Sequence, residues 1–263
     1  FDIALASRTL HEGDGREPLS EEHEAVPGSI DSTAAAVEAA GQRALPVQMD
    51  ISDRTSVGAA AQKVLDTWGR VDVLVNNALH VEPGHNDRFV DVPLSTIERE
   101  IDANVLSFVA LTKLVLPGML ERGDGTIINL TSTAGYMDPP VPSGQGGWSV
   151  TYALVKGSFH RFAGMLALEL ADRGIKAFNV QPGFVMTERM QAMSERLGIP
   201  WDGAPPSALG SVVAWLADEA DALQFNGKTI EGQIFALEYG THPDWRTPGA
   251  DIAPLGRQES VWS

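Results

Sequence analysis

A chain of 263 residues, 43% of them hydrophobic, is long enough for one α/β domain with a sizeable core and does not require a second. A formal net charge of −16 at pH 7 opposes binding to a phosphate backbone, which needs a basic patch, and is read as serving solubility, so no nucleic-acid partner is expected. With no cysteine, a disulfide framework and a thiolate metal site are both excluded, and a cytoplasmic setting is expected.

The six histidines show no HxxxH or HExxH pairing. His11, His23 and His85 lie in polar, loop-like sequence and are read as solvated, so no metal is expected. No run of ~20 apolar residues is evident, and no membrane span is expected.

Along the chain, short β-rich runs alternate with longer helical ones, the pattern of βαβ units and a parallel sheet in an α/β protein. The first strand is expected at residues 3–7. An acidic stretch rich in Glu, Gly and Pro follows at 11–30 and reads as a surface loop, and then a short Ala-rich helix at 31–40 is stopped by Gly41. After a strand at 44–49, Val57, Ala60, Ala61, Val64, Leu65 and Trp68 carry helical spacing, with Asp53 as cap and Gly69 as terminator.

Strands are expected next at 71–75, 126–130, 175–180 and 233–237. Between the first two of these, Ile101, Val105, Phe108, Leu111, Val115 and Met119 share one face of a helix over 97–120, which Pro117 bends or ends. Asn104 falls inside that helix, where an asparagine costs stability and a local kink is expected.

The chemistry concentrates in Tyr152-Ala153-Leu154-Val155-Lys156. Residues four apart share a helix face, so the Lys156 ammonium can sit beside the Tyr152 phenol and favour its ionised form. Bringing a phenol from a pKa of ~10 to near neutrality takes ~4 kcal/mol, which one cation in a dry pocket could largely supply. Upstream lie Asn129-Leu130-Thr131-Ser132, Asp102-Ala103-Asn104-Val105 and, after an apolar run, Asn76-Asn77-Ala78; downstream lies Asn179-Val180-Gln181-Pro182-Gly183-Phe184-Val185-Met186-Thr187.

In these residues, from Phe1 to about Gly240, the chain resembles the classical short-chain dehydrogenases/reductases. The resemblance implies a single doubly wound Rossmann domain over 1–263, with 241–263 as a C-terminal extension. It further implies a catalytic tetrad. Tyr152 would exchange a proton with the alcohol or ketone oxygen, and Lys156 would lower its pKa and hold the nicotinamide ribose. Ser132 would hydrogen-bond the substrate oxygen, and Asn104 would keep a relay water.

For the cofactor, the resemblance points to Ser7 and Arg8 after the first strand and to Asp50-Ile51, whose carboxylate would accept from the adenine amino group. It also points to Asn76 and Ala78, to Tyr152 and Lys156, and to Pro182, Gly183, Val185 and Thr187 around the carboxamide and pyrophosphate. Leu79 stands where the family has glycine. Because Ser7-Arg8 offers a guanidinium and no acid follows at once, NADP(H) is favoured, with NAD(H) possible.

The family's fingerprint Thr-Gly-x-x-x-Gly-x-Gly has no match in this sequence. In the strand order 3-2-1-4-5-6, residues 3–7 correspond to the second strand, and the central first strand is expected to come from ~30 residues preceding Phe1. The alternative is a truncated protein without dinucleotide binding.

By family position the substrate side carries Tyr136, Met137, Pro139, Pro140, Val141 and Trp148. Met186, Met190, Met193, Leu197, Ile199 and Trp201 read either as an adaptable apolar lid or as packing. No arginine lies in residues 136–148 to clamp an acid, so a neutral, mainly apolar ketone or secondary alcohol is the expected small-molecule partner.

Residues 97–120 and 150–170 correspond to helices that the family pairs into homodimers or homotetramers; Phe159, Phe162, Met165 and Leu166 are taken as surplus apolar surface. A non-catalytic dinucleotide-binding or scaffold protein of the same fold is the alternative function.

Overall fold

The computed structural model describes residues 1–16, 25, 27–198 and 202–245. Its strands are β1 (Ile3–Ser7), β2 (Ala44–Gln48), β3 (Val73–Asn76), β4 (Gly125–Leu130), β5 (Ile175–Gln181) and β6 (Thr229–Glu231). The helices are α1 (Ile30–Ala39), α2 (Arg54–Trp68), α3 (Leu94–Ile101), α4 (Ser107–Arg122), α5 (Val150–Leu170), α6 (Glu188–Leu197), α7 (Pro206–Asp218) and α8 (Gly232–Tyr239). Every strand pair is parallel, as helical crossovers require.

Period-two alternation along β4 and β5 explains why helices cover both faces. Ile127 and Ala177 join Phe108, Val115, Phe159 and Ala163 of α4 and α5 on one face. Their neighbours Ile128 and Phe178 join Val212, Leu216 and Phe235 of α7 and α8 on the other. Ile127, Ile128 and Phe178 are each 0% exposed, and burying a side chain of that size contributes about 1.5–3 kcal/mol. A one-residue slip would forfeit this on both faces at once, which fixes the register.

The sheet is divided. Among the described residues β1 pairs with β2 alone, and β3-β4-β5-β6 form a separate ladder. Between β1 and β3 lies a cavity of about 930 Å³, lined by Ile3, Leu5, Leu74 and Val75 and covered by Trp68, Phe108 and Val213 from helices on both sides. In the order 3-2-1-4-5-6 this gap takes the position of strand one. The expectation that residues 3–7 and 71–75 flank an unpaired centre therefore agrees with the structure.

Local signals hold where they are strongest. Asp53 caps α2 by accepting from the Thr55 N–H, and Gly69 ends it in the left-handed region at φ 73°. The expected kink at Asn104 is a π-helical turn over Asp102–Leu106, joining α3 to α4. Pro117 does not end α4, which continues to Arg122. By length and composition alone, the resulting Leu94–Arg122 run is long and apolar enough to cross a bilayer. Its Phe108, Leu111, Val115 and Met119 are buried in this protein's own core.

The strand expected at 233–237 is instead helix α8, and the strand precedes it at Thr229–Glu231. Phe235 and Tyr239, one helical turn apart, stack with ring centroids 4.2 Å apart, and both pack on Trp215 of α7. That aromatic cluster rewards a 3.6-residue period in a short apolar run that sequence pattern alone leaves open between strand and helix.

Candidate active site

Parallel strands bring their C-terminal ends to one edge of the sheet, and the site is built there. β4 ends at Leu130 and leads through Thr131 to Ser132, which caps a short turn by accepting from the Ala134 N–H at 3.2 Å. α5 starts under a Ser149 cap that accepts from the Tyr152 N–H at 3.2 Å, placing Tyr152 in the first turn and Lys156 in the next.

The structure brings Ser132, Tyr152 and Lys156 together. Burial pushes the Tyr152 phenol above its ordinary pKa, and a hydrogen bond with the Ser132 side chain pulls it back in part. Lys156 Nζ donates to the Leu130 carbonyl at 3.0 Å and lies 5.8 Å from the Tyr152 ring centroid. The expected effect of the ammonium on the phenol is thus outweighed, because Nζ is turned to the end of β4 and the phenol is desolvated.

Burial also lowers Lys156 to about 8 from an ordinary 10.5. Between these values the unfolded chain binds more protons than the native one, so Lys156 makes stability rise with pH across that window and costs most below pH 8. Lys156→Met should therefore abolish this rise of stability with pH, its gain below pH 8 being reduced by the Leu130 carbonyl left without its donor. The advantage should fade as pH approaches 10.5, as read from denaturant melts at a series of pH values.

Asn104 is 2% exposed and makes three hydrogen bonds. Its Nδ2 donates to the carbonyls of His80 (2.8 Å) and Glu100 (2.9 Å), and its Oδ1 accepts from the His80 N–H at 2.7 Å. It thereby pins the segment after β3 to the π-helical turn.

The same segment overturns one sequence reading. His85, read as solvated, is 8% exposed, and its Nδ1 is hydrogen-bonded to Glu100, which is 0% exposed. The ring of His85 meets that of Tyr152 edge-on at 5.7 Å. Nothing local marks this contact, since the three residues come from separate elements.

Of the expected cofactor residues, Ser7 ends β1 and Arg8 is exposed just beyond it. Burial pushes the Asp50 carboxyl up, yet the Ser52 hydroxyl and N–H, with the charges of Arg8 and His80, outweigh it and hold the group below the usual range. Ile51 has its side chain in the core, and its carbonyl accepts from Ser107 at 2.6 Å. Ala78 packs at the edge of the core.

Asn76, Asn129 and Asn179 share one row across β3, β4 and β5. Asn76 Nδ2 donates to Asn129 Oδ1 at 2.9 Å, while Asn76 Oδ1 is buried with no partner among the described residues.

Pro182 and Gly183 are held by Gln233 of α8, whose Nε2 donates to the carbonyls of Pro182 and Phe184, both at 2.9 Å. At φ 67°, and with an added Cβ only 2.5 Å from that Nε2, position 183 admits glycine alone without rearrangement. Val185 bridges to Ala204, and Thr187 caps α6 by accepting from the Met190 N–H at 3.3 Å.

A glycine cradle beside the sheet edge, an ionised Asp50 and an exposed Arg8 near it fit the polar groups of a dinucleotide. No glycine-rich first turn occurs in the sequence to complete the set.

Of the residues expected on the substrate side, Trp148, Met186 and Met190 are half-buried. The Tyr136 hydroxyl donates to Glu231 at 2.6 Å, and its ring lies 4.9 Å from that of His160, two turns beyond Tyr152. Burial raises Glu231 and, with the neighbouring Glu231, raises Tyr136. Sequence reading missed Glu231 and His160. Ile199 and Trp201 of the expected lid, and His23, lie outside the described residues.

The chain is similar to known proteins in sequence and in fold. The family model described as short chain dehydrogenase matches residues 24–198. The chain is 33% identical over 217 residues to a 3-oxoacyl acyl-carrier-protein reductase of Synechocystis sp., covering 81% of each chain. It is 32% identical over 211 residues to the oxidoreductase UcpA of Salmonella typhimurium, covering 73% of this chain and 76% of that one. It is 30% identical over 206 residues to an acetoacetyl-CoA reductase of Cupriavidus necator, covering 73% and 75%. In fold it is similar to a short-chain type dehydrogenase/reductase from Mycobacterium marinum, with a TM-score of 0.68, 22% identity, and 87% and 83% of the two chains covered.

Proposed function

This chain belongs to the short chain dehydrogenase family of oxidoreductases, and from that premise we propose that it is an NADP(H)-dependent enzyme interconverting a neutral, mainly apolar ketone and its secondary alcohol. The observation that carries the reading is the meeting of Ser132, Tyr152 and Lys156 at the C-terminal edge of the sheet. When bound, the dinucleotide supplies or accepts the hydride.

The chain's own residues handle one proton. Ser132 would orient the substrate oxygen, and Tyr152, kept protonated by burial, would donate to it as the carbonyl is reduced. Lys156 Nζ, placed between the end of β4 and the phenol ring, would hold the nicotinamide ribose. Asn104 would serve by holding His80 and the adjoining segment in place. Arg8 and Asp50 would take the adenosine end, and Pro182, Gly183, Val185 and Thr187 the nicotinamide end.

Relatives named as 3-oxoacyl acyl-carrier-protein and acetoacetyl-CoA reductases support a carbonyl substrate. The reading is tested by mixing the protein with cyclic, aromatic and aliphatic ketones and following NADPH oxidation, with NADH in parallel. Turnover of apolar ketones is expected. Failure of every ketone would leave the non-catalytic alternative, as a dinucleotide-binding protein if NADPH still binds and as a scaffold if no dinucleotide does.

A homodimer or homotetramer is part of the proposal. Phe159 and Leu166 turn out to be core residues and Phe162 is partly buried, so they are not the surplus surface that the sequence suggested. Met165 is exposed as expected, and the other exposed apolar side chains on α4 and α5 are Leu114, Leu154 and Leu168, the last 79% exposed. Light scattering at micromolar protein should give a dimer or tetramer; a monomer would remove this part of the reading.

A further inference from the structure

Glu100 carries a carboxylate that is 0% exposed, one helical turn before Asn104, and the mechanism above does not use it. A buried carboxylate is costly unless compensated. It accepts from the Glu82 N–H at 3.0 Å, and among the described residues the side chain bonded to it is His85, with Nδ1 at 2.9 and 2.8 Å from the two oxygens.

The loop that presents His85 is built for the purpose. Gly84 sits at φ 86°, where a Cβ would lie 3.2 Å from Asp87 Oδ2 and 3.3 Å from Pro93, and Thr96 Oγ1 ties the Pro83 carbonyl at 2.9 Å. The next residue, Asn86, accepts from Ser143 Oγ at 2.5 Å, which places this loop against the loop before α5. His85 therefore stands between Glu100 and the Tyr152 ring 5.7 Å away.

We propose that His85 is a positioning residue for Tyr152: anchored on the buried Glu100 carboxylate, it holds the phenol ring edge-on and compensates a negative charge that would otherwise oppose ionisation of the phenol. The inference rests on the reading of Tyr152 as the proton-transfer group. Through its Nδ1–H, His85 neutralises part of the Glu100 charge at its source, so that proton loss from Tyr152 does not create a second uncompensated anion in one dry site.

Of the other charged groups around the pair, Glu82 is bound to His80 at 2.7 Å and to Arg99 at 2.8 Å, Asp102 pairs with Arg54, and Lys156 is bonded to Leu130, while the Asp87 carboxylate lies beside Gly84.

The test reads Tyr152 ionisation directly, without substrate or cofactor. The chain has three tyrosines, so ultraviolet difference titration of the parent against Tyr152→Phe isolates the signal of Tyr152. His85→Phe keeps an aromatic ring but removes the compensating N–H, and should raise the midpoint by about half a unit to one unit. Glu100→Gln should lower it, and the double variant His85→Phe/Glu100→Gln should return it to within about 0.3 unit of the parent.

His85→Gln, which still offers a donor to Glu100, should stay near the parent. In ketone reduction, His85→Phe should lower kcat several-fold with little change in the KM for NADPH. If His85→Phe leaves the midpoint unchanged, or Glu100→Gln raises it, the inference is wrong, and continued ketone reduction by the parent would show that the reading of function survives it. The expected midpoint shifts in a protein that reduces no ketone would uphold the coupling and count against the ketone as substrate.

Discussion

Tyr152→Phe should lower ketone reduction at least ~100-fold, the low end for loss of a general acid. The substitution keeps the ring, and with it the edge-on contact to His85 and the helix cap at Ser149, which binds the backbone N–H of residue 152 and not its side chain. What disappears is the hydroxyl bonded to Ser132. Because burial holds that hydroxyl in its protonated form, the loss falls on the proton-donating step, so kcat should drop while the Kd for NADPH stays within about twofold. Stopped-flow or steady-state NADPH oxidation against the parent decides the matter. Turnover within threefold of the parent would show that another group supplies the proton.

The second large effect is expected at Arg8, on dinucleotide choice. The residue is exposed beyond the end of β1, makes no ion pair among the described residues, and contributes to holding Asp50 ionised. A guanidinium free to face a 2′-phosphate makes charge-assisted hydrogen bonds worth ~1.5–3 kcal/mol, or roughly 10- to 100-fold in affinity. Arg8→Ala should raise the KM for NADPH by that factor and leave NADH nearly unchanged. Arg8→Asp should go further, since a carboxylate repels the phosphate and can accept from a ribose 2′-hydroxyl, and should move the preference toward NADH. A parent that already prefers NADH tenfold, or a ratio that neither variant moves, would refute the assignment of NADP(H).

Local spacing was enough for much of this molecule. Tyr152 and Lys156 fall on adjacent turns of α5 because they are four apart, and that relation holds in any helix. Alternation along β4 and β5 fixes which side chains face α5 and which face α7, since a strand has only two faces. The caps at Asp53 and Gly69 bound α2 by chemistry within two residues of each end.

Tertiary structure decided whatever depends on partners far apart in the chain. Residues 233–237 hold a short continuous apolar run that fits a buried strand as well as a helix, and the packing of Phe235 and Tyr239 on Trp215 favours the helix. Lys156 could have faced the phenol, but the Leu130 carbonyl, 26 residues away, draws its Nζ to the end of β4. His85 reads as solvated until Glu100, 15 residues on, is buried beneath it and Tyr152 is brought alongside by α5. A periodic pattern reports which face of an element is apolar; it carries no information on which polar groups from other elements will be desolvated together. That desolvation, and the hydrogen bonds it demands, is what the folded chain alone determines.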